Sequence, residues 1–152
     1  MHGSLNIWQI LWQSGFVVKI VLILLAMSSV LSWTIIFQKY KELKSIVQQH
    51  KTKGPVIGYG ASARSSTMLN FAGLNSEVID CIIDKNPLKH GRYTPGTNIP
   101  IISFEEGKKL FNKCGSILLL AWNFEKEITE ELRANGYTGS IIVPLPNVIR
   151  VK

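Results

Sequence analysis

From Ile20 to Phe37 the chain reads IVLILLAMSSVLSWTIIF, 18 residues without a charge. Extended back through Phe16 to Lys19, the run is long enough to cross a hydrocarbon core of about 30 Å as a helix. No other feature limits the fold as strongly, because a chain of 152 residues has room for one ordinary domain beside such a helix. The reading is a membrane anchor over 1–45 with a transmembrane helix at about 16–37. Lys19 can snorkel at one end, while Lys39, Lys41 and Lys44 follow the other. The positive-inside rule then puts the C-terminal side in the cytoplasm, which predicts a single-pass protein of the inner (cytoplasmic) membrane with its soluble domain in the cytoplasm. Trp8 and Trp12 before the run, and Trp33 and Tyr40 at its end, suit two interfacial aromatic belts. Ile7, Trp8, Leu11 and Trp12 would share one face of a short surface helix. A cleaved signal peptide competes with this reading, but the run exceeds a usual signal core and lacks a clear small-x-small site. Ser28 and Ser32 are either a small-residue packing face or hydroxyls bonded back to their own helix.

Charge follows the same division. Residues 1–53 hold six Lys and one Glu, a net of +5, whereas residues 54–152 hold 11 Lys and Arg against nine Asp and Glu, a net of +2. The basic excess flanks the apolar run rather than covering the folded part, which argues against nucleic acid as a partner and for membrane lipid. Cys81 and Cys114 lie in or beside apolar stretches without CxxC spacing, so both read as buried small hydrophobes. His2, His50 and His90 are isolated, and neither a metal site nor a Ser/His/Asp arrangement is expected.

The stretch Asn6 to Lys44, NIWQILWQSGFVVKIVLILLAMSSVLSWTIIFQKYKELK, resembles the first helix and flanks of the TolQ/ExbB family of proton-channel subunits. In that family the proton path lies on later spans. No second apolar run follows Lys53, so the resemblance does not imply a working channel.

After a polar segment read as a linker at 46–53, Gly54-Pro55 ends any helix. Residues 54–152 then alternate in pattern. Short apolar strands at Pro55–Gly58, Val78–Ile83, Ile101–Ile102, Ser116–Ala121 and Ser140–Val143 are separated by helical stretches at Ser62–Phe71, Phe104–Asn112 and Glu125–Ala134. That spacing predicts an α/β domain, a Rossmann-like parallel sheet of four or five strands with flanking helices.

Gly58-x-Gly60-x-x-Ala63 fits the G-x-G-x-x-G/A pattern, after a strand and at a helix opening, where free N–H groups and the helix dipole favour a phosphate. Ser62 and Arg64 would add a hydroxyl and a cation. Asp84, at the end of the second strand, stands where a carboxylate meets a ribose in such folds. The same turn also occurs simply to pack a helix on a strand, and both readings stay open. The loop Lys85 to Thr97 places Asn86, Lys89, His90, Gly91, Arg92, Tyr93, Pro95 and Gly96 beyond the strand. It is either a solvated basic loop or a rigid arm holding Arg92 and Tyr93 between turn residues.

The ordered segments GYGASARSSTMLN, IDKNPLKHGRYTPGTNIPI, LLLAWNFEKEI and IIVPLPNV, from Val56 to Val148, are similar to the C-terminal domain of sugar-nucleotide C-methyltransferases. The resemblance implies a phosphate-facing turn at Gly58, Gly60, Ser62, Ala63 and Arg64. It implies a substrate loop at Asp84, Asn86, Lys89, Gly91, Arg92, Tyr93, Pro95 and Gly96, with Trp122 and Asn123 lining the same edge. His90 joins them around the sugar. In that family S-adenosylmethionine and zinc belong to preceding domains, and the acid and base residues also lie ahead of this region. The expectation is therefore a membrane-tethered module that binds a nucleotide-diphosphate sugar and has no catalytic residue or cofactor of its own. S-adenosylmethionine would be present only through a partner methyltransferase domain. The competing readings are a TolQ/ExbB-like subunit packed against other membrane helices, and a fusion or truncation product without function.

Overall fold

In the computed structural model, residues 15–144 and 150–151 are described. The expectations for Trp8, Trp12 and their neighbours, and for Leu145 to Val148, lie outside them. Helix α1, Phe16–Lys51, runs for 36 residues. The chain divides into two compact units after Lys39.

In the first unit the apolar side chains from Phe16 to Phe37 are exposed, with Phe16 at 77% and Val30 at 66%. This helix is long and apolar enough to cross a membrane. Ser28 Oγ donates to the Leu25 carbonyl at 3.0 Å and Ser32 Oγ to that of Ser28 at 2.9 Å. Both hydroxyls are thus satisfied within the helix.

The second unit begins at Tyr40 and shows that 46–53 is not a linker. Helix α1 continues to Lys51, and Leu43 (3% exposed) and Val47 (0%) belong to the core of the α/β domain. Their i, i+4 spacing puts both on one face. His50 Nδ1 is bonded to Ser116 Oγ, and Lys51 Nζ reaches both Asp80 oxygens at 2.7 and 2.6 Å. Lys44, expected at a membrane interface, lies next to Gly73, the left-handed cap of the following helix, where a cation is favoured.

Strands β1 (Val56–Tyr59), β2 (Cys81–Ile83), β3 (Ile101–Ile102), β4 (Ser116–Leu119), β5 (Ser140–Val143) and β6 (Arg150–Val151) form one sheet in the order 3-2-1-4-5-6. The first five are parallel and β6 is antiparallel to β5. This is the expected α/β sheet with an added edge strand. Helices α2 (Ala63–Ala72), α3 (Phe104–Lys108) and α4 (Glu125–Ala134) flank it. Strand side chains alternate between two cores. Ile82, Leu118 and Ile142 pack with Leu43, Val47, Met68 and Leu69, while Ile57, Ile117 and Ile141 pack with Phe111, Ile128 and Leu132. Cys81 and Cys114 are both buried there, and burial pushes the Cys81 thiol up to about 12, so neither is a ready thiolate.

Candidate functional site

The carboxyl ends of β1, β2 and β4 meet where the order reverses between β1 and β4, the position at which open α/β sheets bind ligands. Two glycines shape the turn leaving β1. A Cβ on Gly58 would lie 2.8 Å from Ile82 Cγ1, and Gly60 has a φ of +95° with Ala121 Cβ only 2.7 Å from where its own Cβ would be. Both therefore serve close strand packing first.

The amide groups of this turn are used within the chain. Ala61 N–H donates to Asp84 Oδ2 at 2.7 Å. Ser62 N–H donates to Ser65 Oγ at 2.7 Å, and Ser65 N–H returns a bond to Ser62 Oγ at 3.1 Å, which closes a capping box on α2. Asp84 is 8% exposed and holds three groups, its Oδ2 also taking Lys89 Nζ at 3.0 Å and its Oδ1 the Asn86 N–H at 2.8 Å. Lys89 Nζ also donates to the Ala61 carbonyl at 2.6 Å, and His90 Nε2 is 2.7 Å from the Asp84 carbonyl. Asp84, expected to meet a ribose, instead clamps the loop onto the turn. The Asp84 carboxylate and the amides of Ala61 and Ser62 are thus all engaged within the chain.

The loop beyond β2 divides into two halves. Lys85, Asn86, Lys89 and His90 stay at the carboxyl edge. From Gly91 the chain turns back along β3: the N–H of Gly91 and the carbonyl of Arg92 bond to Ile101 at 3.0 and 2.8 Å, and Tyr93 bridges to Pro100. Asn70 Nδ2 donates to the Pro95 carbonyl at 3.0 Å, and Gly96 packs directly on Asn70. Asn70 is eight residues along α2 from Ser62, about 12 Å at the helical rise. Pro95 and Gly96 are thus not brought to the edge with Ser62 and Arg64, and the turn they form is held by the buried Thr94–Thr97 hydroxyl pair at 2.7 Å. Arg92 and Tyr93 (64% exposed) lie between these halves, beside β3.

What the fold does bring together is the first turn of α2 and the residues after β4. Ser62, Ala63, Arg64, Leu120, Ala121, Trp122, Asn123 and Phe124 line an open cleft of about 440 Å³, a volume in the range of small-ligand sites. The Arg64 guanidinium stands over the Trp122 ring at 5.8 Å. Ala63 and Arg64 occupy the first helical positions, whose amides have no partner within a helix, so the cleft combines a cation, an aromatic face and the positive end of α2. Leu120, Ala121 and Phe124 were missing from the sequence-derived set; the apolar run into Trp-Asn-Phe, which becomes a single 3-10 turn at Trp122–Phe124, carried the signal.

A second, smaller cleft of about 230 Å³ opens on the α4 side, lined by Tyr59, Lys85, Phe124, Glu127 and Ile128. The Tyr59 hydroxyl donates to Glu131 Oε2 at 2.7 Å, and Lys85 Nζ meets Glu131 Oε1 at 2.7 Å. Burial, then the neighbouring Glu131, raises the Tyr59 pKa well above the ordinary phenol value, so it remains a donor. Burial pushes the Glu131 carboxyl up as well, but the bonds from Lys85 and Tyr59 outweigh it and leave it below its usual value. Among the described residues, no three His, Cys, Asp or Glu side chains gather as a metal site would require.

A comparison with known proteins points the same way. Over 111 residues, 68% of this chain, it is 37% identical to the C-methyltransferase NovU of Streptomyces niveus. The aligned part is 24% of that protein, so the chain spans about a quarter of its relative's length. Residues 33–146 match the C-methyltransferase C-terminal domain, and on that match the chain belongs to this family.

Proposed function

We propose that the chain is a membrane-tethered module that binds a nucleotide-diphosphate sugar. The observation that carries this reading is the cleft between α2 and Trp122–Phe124, in a domain of the C-methyltransferase family. The diphosphate would lie against Arg64 and the amides of Ala63 and Arg64, because the amides of Ala61 and Ser62 are already bonded. The base or the sugar would stack on Trp122, with Asn123 beside it. Lys89 and His90 would hold the loop in place, not touch the ligand. A methyl donor would come with a partner methyltransferase domain, and this chain would supply binding without a catalytic residue. The helix before Lys39 would cross the inner membrane with the domain on the cytoplasmic side. The TolQ/ExbB-like reading gains nothing from Ser28 and Ser32, whose hydroxyls are used within their own helix.

The test is a thermal-shift titration of the full chain in detergent with thymidine diphosphate, a thymidine-diphosphate sugar and S-adenosylmethionine. The nucleotide arms should raise the midpoint, by the equivalent of about 2.7 kcal/mol at a hundredfold excess over Kd. Arg64→Ala should abolish the shift, and S-adenosylmethionine should give none. No response to millimolar nucleotide from a folded chain would sink the reading. Carbonate washing of membranes tests the tether, which fails if the chain is released with peripheral proteins.

A further inference from the structure

The smaller cleft has a different chemistry from the larger one. Its walls are two aromatic rings, Tyr59 and Phe124, and the aliphatic Ile128, while its polar groups are Lys85 and Glu127. Among the described residues Glu127 has no hydrogen bond or ion pair, and the Lys85 ammonium keeps donors to spare, being 58% exposed beside its bond to Glu131. With Glu127 at its wall and Glu131 holding the Lys85 charge, the cleft is unsuited to a phosphate. A flat apolar wall with one free acceptor and one donor suits a neutral ring whose hydroxyl groups lie around its rim. Its volume of about 230 Å³ is enough for one such ring.

Phe124 is 61% exposed and forms a wall of both clefts, so the two are neighbours at the carboxyl edge of β1 and β4. A ligand whose charged linker sits by Arg64 would reach past Phe124 into the second cleft. On the reading given above, we infer that this second cleft is the sugar subsite. Its pyranose ring lies on Phe124, Glu127 accepts from a ring hydroxyl and Lys85 donates to another. Tyr59 positions the subsite by holding Glu131, which in turn holds Lys85 in place.

The experiment compares two ligands, thymidine diphosphate and a thymidine-diphosphate hexose, by calorimetric titration of the full chain in detergent. The wild-type chain should bind the hexose form about tenfold more tightly. Glu127→Ala and Lys85→Met, both at exposed positions that line the second cleft and not the first, should remove that tenfold difference and leave thymidine diphosphate affinity unchanged. Arg64→Ala should weaken both ligands together. A tenfold difference that persists in both Glu127→Ala and Lys85→Met would overturn the subsite, as would equal affinity of the two ligands in the wild type. If neither ligand binds the wild type, the nucleotide-sugar reading itself falls and takes the subsite with it.

Discussion

Within α1, residues 16–37 and residues 40–51 are both helical and meet opposite fates. In the first stretch, leucine, isoleucine and valine side chains are exposed all round the helix, Leu24 at 60% and Leu25 at 61%. In the second, Leu43 and Val47 are covered almost completely although the segment as a whole is polar. The amount of apolar surface therefore says less about burial in protein than its arrangement does. A helix apolar on every side asks for lipid, whereas two residues four apart on a polar helix ask for a sheet.

The strongest way to break this comparison is to place a charge in each stretch. Val47→Asp buries an unpaired carboxylate against β1 and β4 and should unfold the α/β domain, a loss of 4 kcal/mol or more on the order expected for such changes. Leu25→Asp should leave the domain's melting point unchanged and reduce membrane retention, since Asp at a span centre costs about 2.5–3.5 kcal/mol. Circular-dichroism melting and membrane fractionation read the two effects. Equal melting of both variants would erase the distinction. Next, Leu43→Ala should cost about 2–4 kcal/mol in a chemical melt and Leu24→Ala close to nothing.

A smaller effect comes from the clamp over the turn. Lys89→Met leaves the Asp84 carboxylate with its two amide partners and no cation, which should cost about 1–2 kcal/mol, reduced by the partial exposure of Lys89. Full stability in that variant would show that the clamp is incidental. The smallest effect is at His50, whose pKa is lowered below 6.5 by burial and then by Lys53. Its neutral form is favoured on folding, so the stability it contributes is present above pH 6.5 and is lost as pH falls from 6.5 through the lowered folded value. The melting point of the wild type should drop over that window, and that of His50→Gln should drop less.

Much of the α/β domain was legible because apolar strands and turn residues follow its alternation directly, and Gly58-x-Gly60 marked the turn from β1 into α2. The end of α1 was not. Tyr40 to Lys51 is rich in Lys and Gln, and its two core residues stand out only once a sheet is present to cover them. The helix read over Phe104–Asn112 stops at Lys108, as Gly107 lets it lie against Ile83 and turns follow. The loop after β2 misled in another way. Arg92, Tyr93, Pro95 and Gly96 carry the look of a binding arm, but Asn70 and the Thr94–Thr97 pair show half of it to be a docking turn. Sequence supplied the acid at Asp84 and the local turn to the Asn86 amide, while its partners Ala61 and Lys89 sit at distances that no local pattern links.

The closure of the turn by Asp84, Ser65 and Lys89 has a kinetic consequence. Amides held by the chain itself need no guest to stay ordered, so the backbone at Ala61 and Ser62 should exchange its hydrogens slowly even in the absence of nucleotide. A ligand then meets an edge already set in shape, and its association would be limited by diffusion to the cleft rather than by a loop waiting to fold.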